Sequence, residues 1–422
     1  IMNKSLYIVA FSLAFATTGI AQNNEGQDKT VDLGTQTTTE LRKTQAVSTI
    51  YSDELDKNAT TSPYNAIYGL LPGLTVMQNT SWGTDKSRLN VRGRGSLNGD
   101  TPLFVVDGFA RPIEYINLSE IESISVLKDG AATALWGGRG ANGVVLITTK
   151  RGMYSKKEIK VDYKFGLGLP VNQPEFADAY TYAKARNEAL RYDGLQPDMD
   201  EASFLAGGNS DLYPNVDWQK EALRNHTTSH QLDITFRGGG KRLRYFSVLN
   251  YKNDMGLLNS KYTDYTDRYN SQMKKYFLNL RMNLDVDITD ATKLKLNMLG
   301  MLRETKRPTT SEATLFEQIF NTPSAAFPVQ TQNGLWGSNN VLKTNPIANL
   351  ADVGYYKLNQ RMLQADLRLI QDLSVLTRGL SAELAIAYDN NATYQETAKK
   401  SFMYQTCLLY TSPSPRDPKT SR

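Results

Sequence analysis

Residues Leu89–Lys150 read LNVRGRGSLNGDTPLFVVDGFARPIEYINLSEIESISVLKDGAATALWGGRGANGVVLITTK. Three β-rich runs stand out in this stretch, Leu103–Asp107, Ile124–Lys128 and Val144–Thr149. Glycines punctuate them, at Gly93, Gly95, Gly99, Gly108, Gly130, Gly137, Gly138, Gly140 and Gly143. Such spacing suits short strands joined by tight turns. Ser119-Glu120-Ile121-Glu122 has the form of a capping box. Asp129 can cap a short helical run Ala131–Trp136 that Gly137 ends. The expectation is a small α+β domain without a long amphipathic helix.

Gly138-Arg139-Gly140-Ala141-Asn142-Gly143 also satisfies G-x-G-x-x-G. A dinucleotide site needs a strand before that motif and a helix after it. Here a helix-like run precedes it and the strand Val144–Thr149 follows, so the glycines are read as a structural turn and no cofactor is expected.

The wording of the stretch resembles the plug domain of TonB-dependent outer-membrane transporters of the SusC/RagA family. Arg92-Gly93-Arg94-Gly95-Ser96-Leu97 and Pro102–Gly108, with Asp107-Gly108 at its end, carry the resemblance. It continues in Ile121–Asp129, ending Lys128-Asp129, and in Gly138–Lys150 with Arg139, Gly140, Asn142 and Gly143. The resemblance implies a plug that blocks a β-barrel until a periplasmic motor, the TonB–ExbB–ExbD complex, pulls on it. It also implies a surface lipoprotein of SusD type as a lid, and a place in the outer membrane among its lipids.

Outward from the plug, the start reads as a signal peptide, residues 1–21. Lys4 is its positive end, Leu6–Ala16 its apolar run, and cleavage is expected after Ala21. The residue directly after that position is Gln22 and not a cysteine, so no lipid anchor is expected there. Residues 22–46 are polar and threonine-rich, and read as a flexible periplasmic arm. Within it Lys29-Thr30-Val31-Asp32-Leu33-Gly34 resembles the family's TonB box, with the usual valine run shortened. The plug proper is expected over 47–152, from a strand Val47–Tyr51 through helical turns Asp53–Asp56 and Tyr64–Leu71 to Gly152. Arg92, Arg94 and Arg139 are expected to hold it to the barrel wall or to its own loops, since arginine pairs bidentately with carboxylates.

After the plug the periodicity changes to strict alternation. Ile159–Leu169, Gln231–Arg237, Leu243–Lys252, Leu278–Thr289, Thr292–Leu302, Met362–Ile370 and Leu380–Asp389 all alternate. In Leu278–Ile288 every even position is apolar and every odd one polar. That suits a strand between lipid and a wet lumen. Gly238–Gly240 and Thr289–Ala291 are short turns of the periplasmic kind. Pro174–Leu190 reads as a helix with Phe176, Tyr180 and Ala183 on one face, ended by Gly194. Seven strands fall short of the roughly 22 of a plugged barrel, so residues 153–406 are expected to be part of a barrel, truncated. The tail 407–422, with three prolines and no alternation, reads as foreign sequence.

The fold expected is therefore an α+β plug domain followed by the N-terminal strands of a transmembrane antiparallel β-barrel. The formal charge is +5; Lys4 contributes one unit and the tail a net two, which leaves +2, no nucleic-acid signature. Cys407 is the sole cysteine, and the only histidines, His226 and His230, expected together at a strand start, lack the H-E-x-x-H pattern. No metal site, catalytic residue or enzyme activity is expected. The reading is uptake of a large nutrient, a glycan or peptide, by a SusC-like channel. Its alternatives are a siderophore or cobalamin receptor, and a soluble β-sandwich adhesion protein.

Overall fold

The computed structural model describes residues 8–12, 30–34, 37–39, 44–57, 60, 62–78, 87–96, 99–154, 157–171, 173–264 and 269–406 of the chain. It consists of a small mixed sheet seated against one face of a large antiparallel sheet.

Strand β1 (Ile8–Ser12) borders the large sheet, and β2 (Thr30–Asp32) and β3 (Thr37–Thr39) pair as a hairpin. The plug follows: β4 (Val47–Tyr51), the antiparallel pair β5 (Leu74–Met77) and β6 (Arg88–Val91), then β7 (Leu103–Val106), β8 (Phe109–Ala110), β9 (Ile121–Leu127) and β10 (Val144–Thr149). Its five-stranded sheet runs in the order β4-β9-β10-β7-β8. Only the β10–β7 pair is parallel. Alternate apolar residues bury one face, with Ile50, Leu55, Ile67, Leu89, Ile113, Ile121, Ile124 and Ile147 in a single core. Asp107-Gly108 makes the β7–β8 hairpin as a two-residue turn with positive φ at both positions, 47° and 89°. Aspartate and glycine tolerate that conformation better than other residues do.

Two local expectations are corrected and one is met. Ser119–Glu122 is no capping box: Asn117 caps a 3-10 turn Leu118–Glu120, and β9 already begins at Ile121. β-branched and apolar Ile121 and Ile124 bury on the sheet and override the local cap. Asp129 caps a helix at Gly130–Thr133 that runs on as a 3-10 turn, and Gly137, at φ 53° and ψ −144°, breaks it as expected before a second turn up to Gly140. The arm, expected to be flexible, contains the β2–β3 hairpin.

The large sheet follows as β11 (Glu158–Gly168), β12 (Thr227–Gly239), β13 (Leu243–Met255), β14 (Lys274–Asp287), β15 (Thr292–Pro308), β16 (Trp336–Ser338), β17 (Gly354–Asp372), β18 (Ser381–Lys399) and β19 (Tyr404–Thr406). Its order is β1-β11-β12-β13-β14-β15-β17-β18, antiparallel throughout, while β16 and β19 pair separately. All seven alternating runs are strands of this sheet, and most run longer than the alternation indicated. β17 and β18 have 19 residues each, ~63 Å if fully extended. Ile8–Ser12, expected within a removed signal peptide, lies along β11, whose edge offers unpaired backbone groups to an extended apolar segment. Lys4, Ala21, Lys29 and the tail 407–422 lie outside the described residues.

The two faces of the sheet have opposite chemistry. On β14, Asn279, Arg281, Asn283 and Asp285 are buried against the plug, while Leu278 and Leu280 are exposed outward. A soluble sandwich would bury those leucines under a second sheet; here a plug buries the polar face, so the wall has the polarity of a membrane barrel. Short turns close one end of the wall. At the other end the long connections fold into a helical lobe. Its core holds Trp218, Leu258, Leu315, Phe327, Trp336 and Ile347. The helix expected over Pro174–Leu190 is Ala179–Tyr192, capped by Asp178, with Ala179, Ala183 and Asn187 buried. Phe176 precedes it and stacks on Phe320, 5.9 Å between ring centres. His226 lies before β12, exposed; His230, within β12, accepts or donates a bond with the Tyr163 hydroxyl.

Because the plug has its own core and presents polar groups to the wall, residues 47–152 expressed alone are expected to be soluble and to unfold in one cooperative transition. Ile124→Ala should lower that stability by about 2–5 kcal/mol in denaturant titration. A broad, non-cooperative melt of the parent domain would contradict the expectation.

Candidate functional site: the interface of plug and wall

Among the described residues, Glu122 makes an ion pair with Arg237 of the wall at 3.9 Å, and four pieces of the plug make most of the contact: the β7–β8 turn, the segment Arg111–Tyr115, the turn Asn117–Glu120, and Thr149–Arg151. Each follows or precedes a plug strand, so the plug core fixes its position. Each carries side chains that cannot be buried without partners.

Arg111, 4% exposed, reaches two carboxylates of the wall. Its Nη1 donates to Asp366 Oδ1 at 2.5 Å, its Nη2 to Asp389 Oδ1 at 2.7 Å, and its Nε also to Asp389. Burial works against the guanidinium charge, but the hydrogen bonds to Asp389 and Asp366 outweigh it and raise its pKa. Asp366 in turn accepts from Asn297 at 2.6 Å, Asn297 accepts from Arg151 at 2.8 Å, and Arg151 donates to Asp285 at 2.7 Å. The chain of bonds thus runs from the edge of the plug sheet to the point where the chain leaves the plug.

A second group centres on Glu120, which is fully buried. It accepts from Arg281 Nε at 2.6 Å and from Asn279. Burial pushes the Glu120 carboxyl above the ordinary range, against the opposing pull of Arg281. Beside it Asn250 donates to Ser119 Oγ at 2.8 Å, and both Asn250 and Asn117 donate to Asp233. One 3-10 turn thereby binds β12, β13 and β14.

The Asp107-Gly108 turn is the third. Asp107 accepts from the Thr149 N–H and hydroxyl inside the plug, while its carbonyl accepts from Arg368 Nη2 at 3.0 Å. A Cβ on Gly108 would stand 2.6 Å from that Arg368 nitrogen. Glycine is favoured there by its φ of 89°, while the tip of the Arg368 side chain could shift to make room. One small apolar island interrupts the polar contacts: Tyr115, Phe277, Met301 and Met362, with Arg303 over the two rings at 5.5 Å.

Of the residues that carry the plug resemblance at Arg92–Gly95, Asp107-Gly108, Lys128-Asp129 and Arg139–Gly143, only Asp107 and Gly108 lie at this interface. Arg92 is exposed at φ 58° before Gly93; Arg94, ahead of Gly95, pairs weakly with Asp100 at 3.7 Å inside the plug. Arg139 is exposed on the plug surface, so the described contacts of these arginines do not reach the wall. Lys128 binds Ser48, and Asp129 accepts from the Ala132 and Ala46 N–H groups, which hold its carboxyl below the ordinary range. Asn142 donates to the Gly99 carbonyl; a Cβ at Gly143 would press on Val91 at 2.8 Å. Gly140 packs against Thr133. These positions shape the plug itself. The glycine motif Gly138–Gly143 ends a 3-10 stretch and enters a strand, the reverse of a dinucleotide site.

The segment Thr30–Gly34 is placed against the plug. Val31 and Leu33 are buried with Val47, Val105, Leu127, Val144 and Leu146, beside Trp136.

Residues 39–144 match the TonB-dependent Receptor Plug Domain family. The TonB-dependent receptor SusC of Bacteroides thetaiotaomicron is 30% identical over 255 residues, which cover 57% of this chain and 24% of SusC. The TonB-dependent receptor P26 of Formosa agariphila is 28% identical over 281 residues, 65% of this chain and 26% of P26. The chain therefore spans about a quarter of the length of the curated relatives it matches. The solved RagAB peptide importer in its open-open state has the same fold, with a TM-score of 0.70 at 20% identity, over 90% of this chain and 44% of that one.

Arg111→Ala would leave the buried Asp366 and the half-exposed Asp389 without their cation and so weaken plug docking. In the full-length protein in its membrane, greater leak of large antibiotics and faster amide exchange in β7 and β8 are expected, with partial rescue by Arg111→Lys. Leak and exchange equal to the parent would refute the role.

Proposed function

We propose that the chain belongs with the SusC-like TonB-dependent receptors of the outer membrane, and that it serves energised uptake of a large nutrient, a glycan oligosaccharide or a peptide. The observation that carries the reading is the interface just described. It is largely buried but built of hydrogen-bonding groups, so each group can return to water when the plug moves. An apolar seal of the same area would expose hydrocarbon on every opening, at about 25 cal/mol per Å². The chemistry is binding and gating, with no bond made or broken.

In this reading Lys29–Gly34 is the segment gripped by the TonB–ExbB–ExbD complex. Such capture works by β-augmentation, in which main-chain bonds to an extended segment supply the affinity. The β-strand at Thr30–Asp32 has the needed conformation, and freeing it requires Val31 and Leu33 to leave their pocket. The similarity to SusC and to the RagAB importer supports a SusD-type lipoprotein as the partner over the long-loop end. The helical lobe there would be its seat.

A proline at position 33 removes a donor and restricts the residue before it. In the full-length protein, Leu33→Pro should abolish energised uptake while membrane insertion and substrate binding persist. Uptake equal to the parent would overturn the assignment of the segment.

A further inference from the structure

The outward face of the wall carries an unusual row of charge. Lys274 on β14 stands opposite Lys306 on β15, and Lys306 opposite Lys357 on β17. These three share the outward face with Leu278, Leu302 and Leu363. Two rows nearer the short-turn end, Arg361 stands opposite Leu302, with its guanidinium 5.4 Å from the Tyr394 ring centre. Glu304 serves two of the lysines at once, at 3.2 Å to Lys306 and 3.1 Å to Lys357. Like charges directly opposite on neighbouring strands destabilise a sheet. Glu396 on β18, directly opposite Lys357, is the second carboxylate of the row, and two carboxylates do not offset three ammonium groups and a guanidinium.

The position of the row is equally specific. Below it begins the apolar band, Leu294–Leu302 on β15 and Leu363–Leu369 on β17, ~27 Å along the former strand. That is close to the ~25 Å apolar belt of membrane barrels. The row lies toward the long-loop end, opposite the short periplasmic-type turns. Directly under Arg361 the face opens into a groove of about 390 Å³ between Leu249, Leu278, Leu280, Leu302 and Leu363. Its floor is Gly300, whose missing side chain would meet nothing within 4 Å.

We propose that Lys274, Lys306, Lys357 and Arg361 bind the phosphate of an outer-leaflet glycolipid, with one acyl chain lying in the groove over Gly300. The inference rests on the wall spanning the outer membrane and goes beyond the transport reading. Phosphate supplies the anionic charge the row lacks, at the depth where a headgroup sits. The groove supplies an apolar slot at the depth where the chains begin. Lysine stems lie along the leucines while their ammonium tips reach upward.

The test uses the full-length protein in detergent, with monophosphoryl lipid A, the same lipid dephosphorylated, and inorganic phosphate as probes. Binding is read by native mass spectrometry and by the shift in Tm; folded insertion is read separately by heat-modifiable gel migration. The parent should bind the phosphorylated lipid at least about tenfold more tightly than the dephosphorylated one, as several basic contacts of ~1 kcal/mol each imply. Each of Lys274→Gln, Lys306→Gln and Lys357→Gln should weaken it about fivefold. Gly300→Leu, which fills the groove and leaves the charges, should weaken lipid binding in a protein that still migrates as folded. Equal binding of both lipids, or a triple lysine variant that binds like the parent, overturns the proposal. Full competition by millimolar inorganic phosphate would mean a free-anion site and also overturns it. A variant that loses lipid but keeps uptake leaves the transport reading intact, so the two fail separately.

Discussion

Arg111 between Asp366 and Asp389 is the contact on which the arrangement of plug and wall turns. A buried guanidinium is tolerable only where carboxylates meet it with good geometry, and buried carboxylates are tolerable only where a cation meets them. The wall therefore needs the plug as much as the plug needs the wall. Around that contact the designs of the two partners are reciprocal. Asparagines at 250, 279, 283 and 297 spread the polarity of the wall without adding charge, and each donates to a plug group or to a residue that holds one. Buried pairs of this kind define a position sharply while adding little net stability. That is the balance required of a part that must fit closely and still come loose.

Much of the fold was legible in the residues because its periodicities are local. The even–odd division of Leu278–Ile288 placed β14 and named its two faces correctly. Asp107-Gly108 announced a tight turn and is one. What the alternation did not reveal is that the polar face is covered by the plug: a lumen filled with water and a lumen filled by a plug select the same residue types. Nor did it reveal the full length of the strands. Beyond the apolar belt, in Arg303–Pro308 and Gly354–Arg361, most side chains on both faces are polar or aromatic, and the hydrophobic period fades while the backbone ladder continues.

The site was less legible than the fold. The arginines that drew attention, Arg92, Arg94 and Arg139, sit in a dense glycine context and shape the plug or its surface. Arg111 was missed although it lies a few residues away. Its partners are 255 and 278 positions further along the chain, and nothing local distinguishes it from a solvated arginine. The same holds for Glu120, which the pattern Ser119–Glu122 assigned to a helix cap. Tertiary burial decided its role, and a single sequence does not carry that information. The helical lobe was hidden for a similar reason. Trp218, Phe327 and Trp336 are scattered through polar connections and meet only when the strands bring the connections together.

The place of β4 at the margin of the plug sheet has a mechanical consequence. It is held by β9 on one side only, and the arm joins it at Val47, opposite Leu127. A pull delivered through the arm would load the β4–β9 bonds one after another from that end, as a zipper opens, and not all together as in shear. The opposite margin, β8, leads straight into Arg111 and the wall. The sheet is graded, weakest where tension would arrive and most firmly held where it would have to stop, so a modest force could open part of the lumen while the rest of the plug stays anchored as the template on which it closes again.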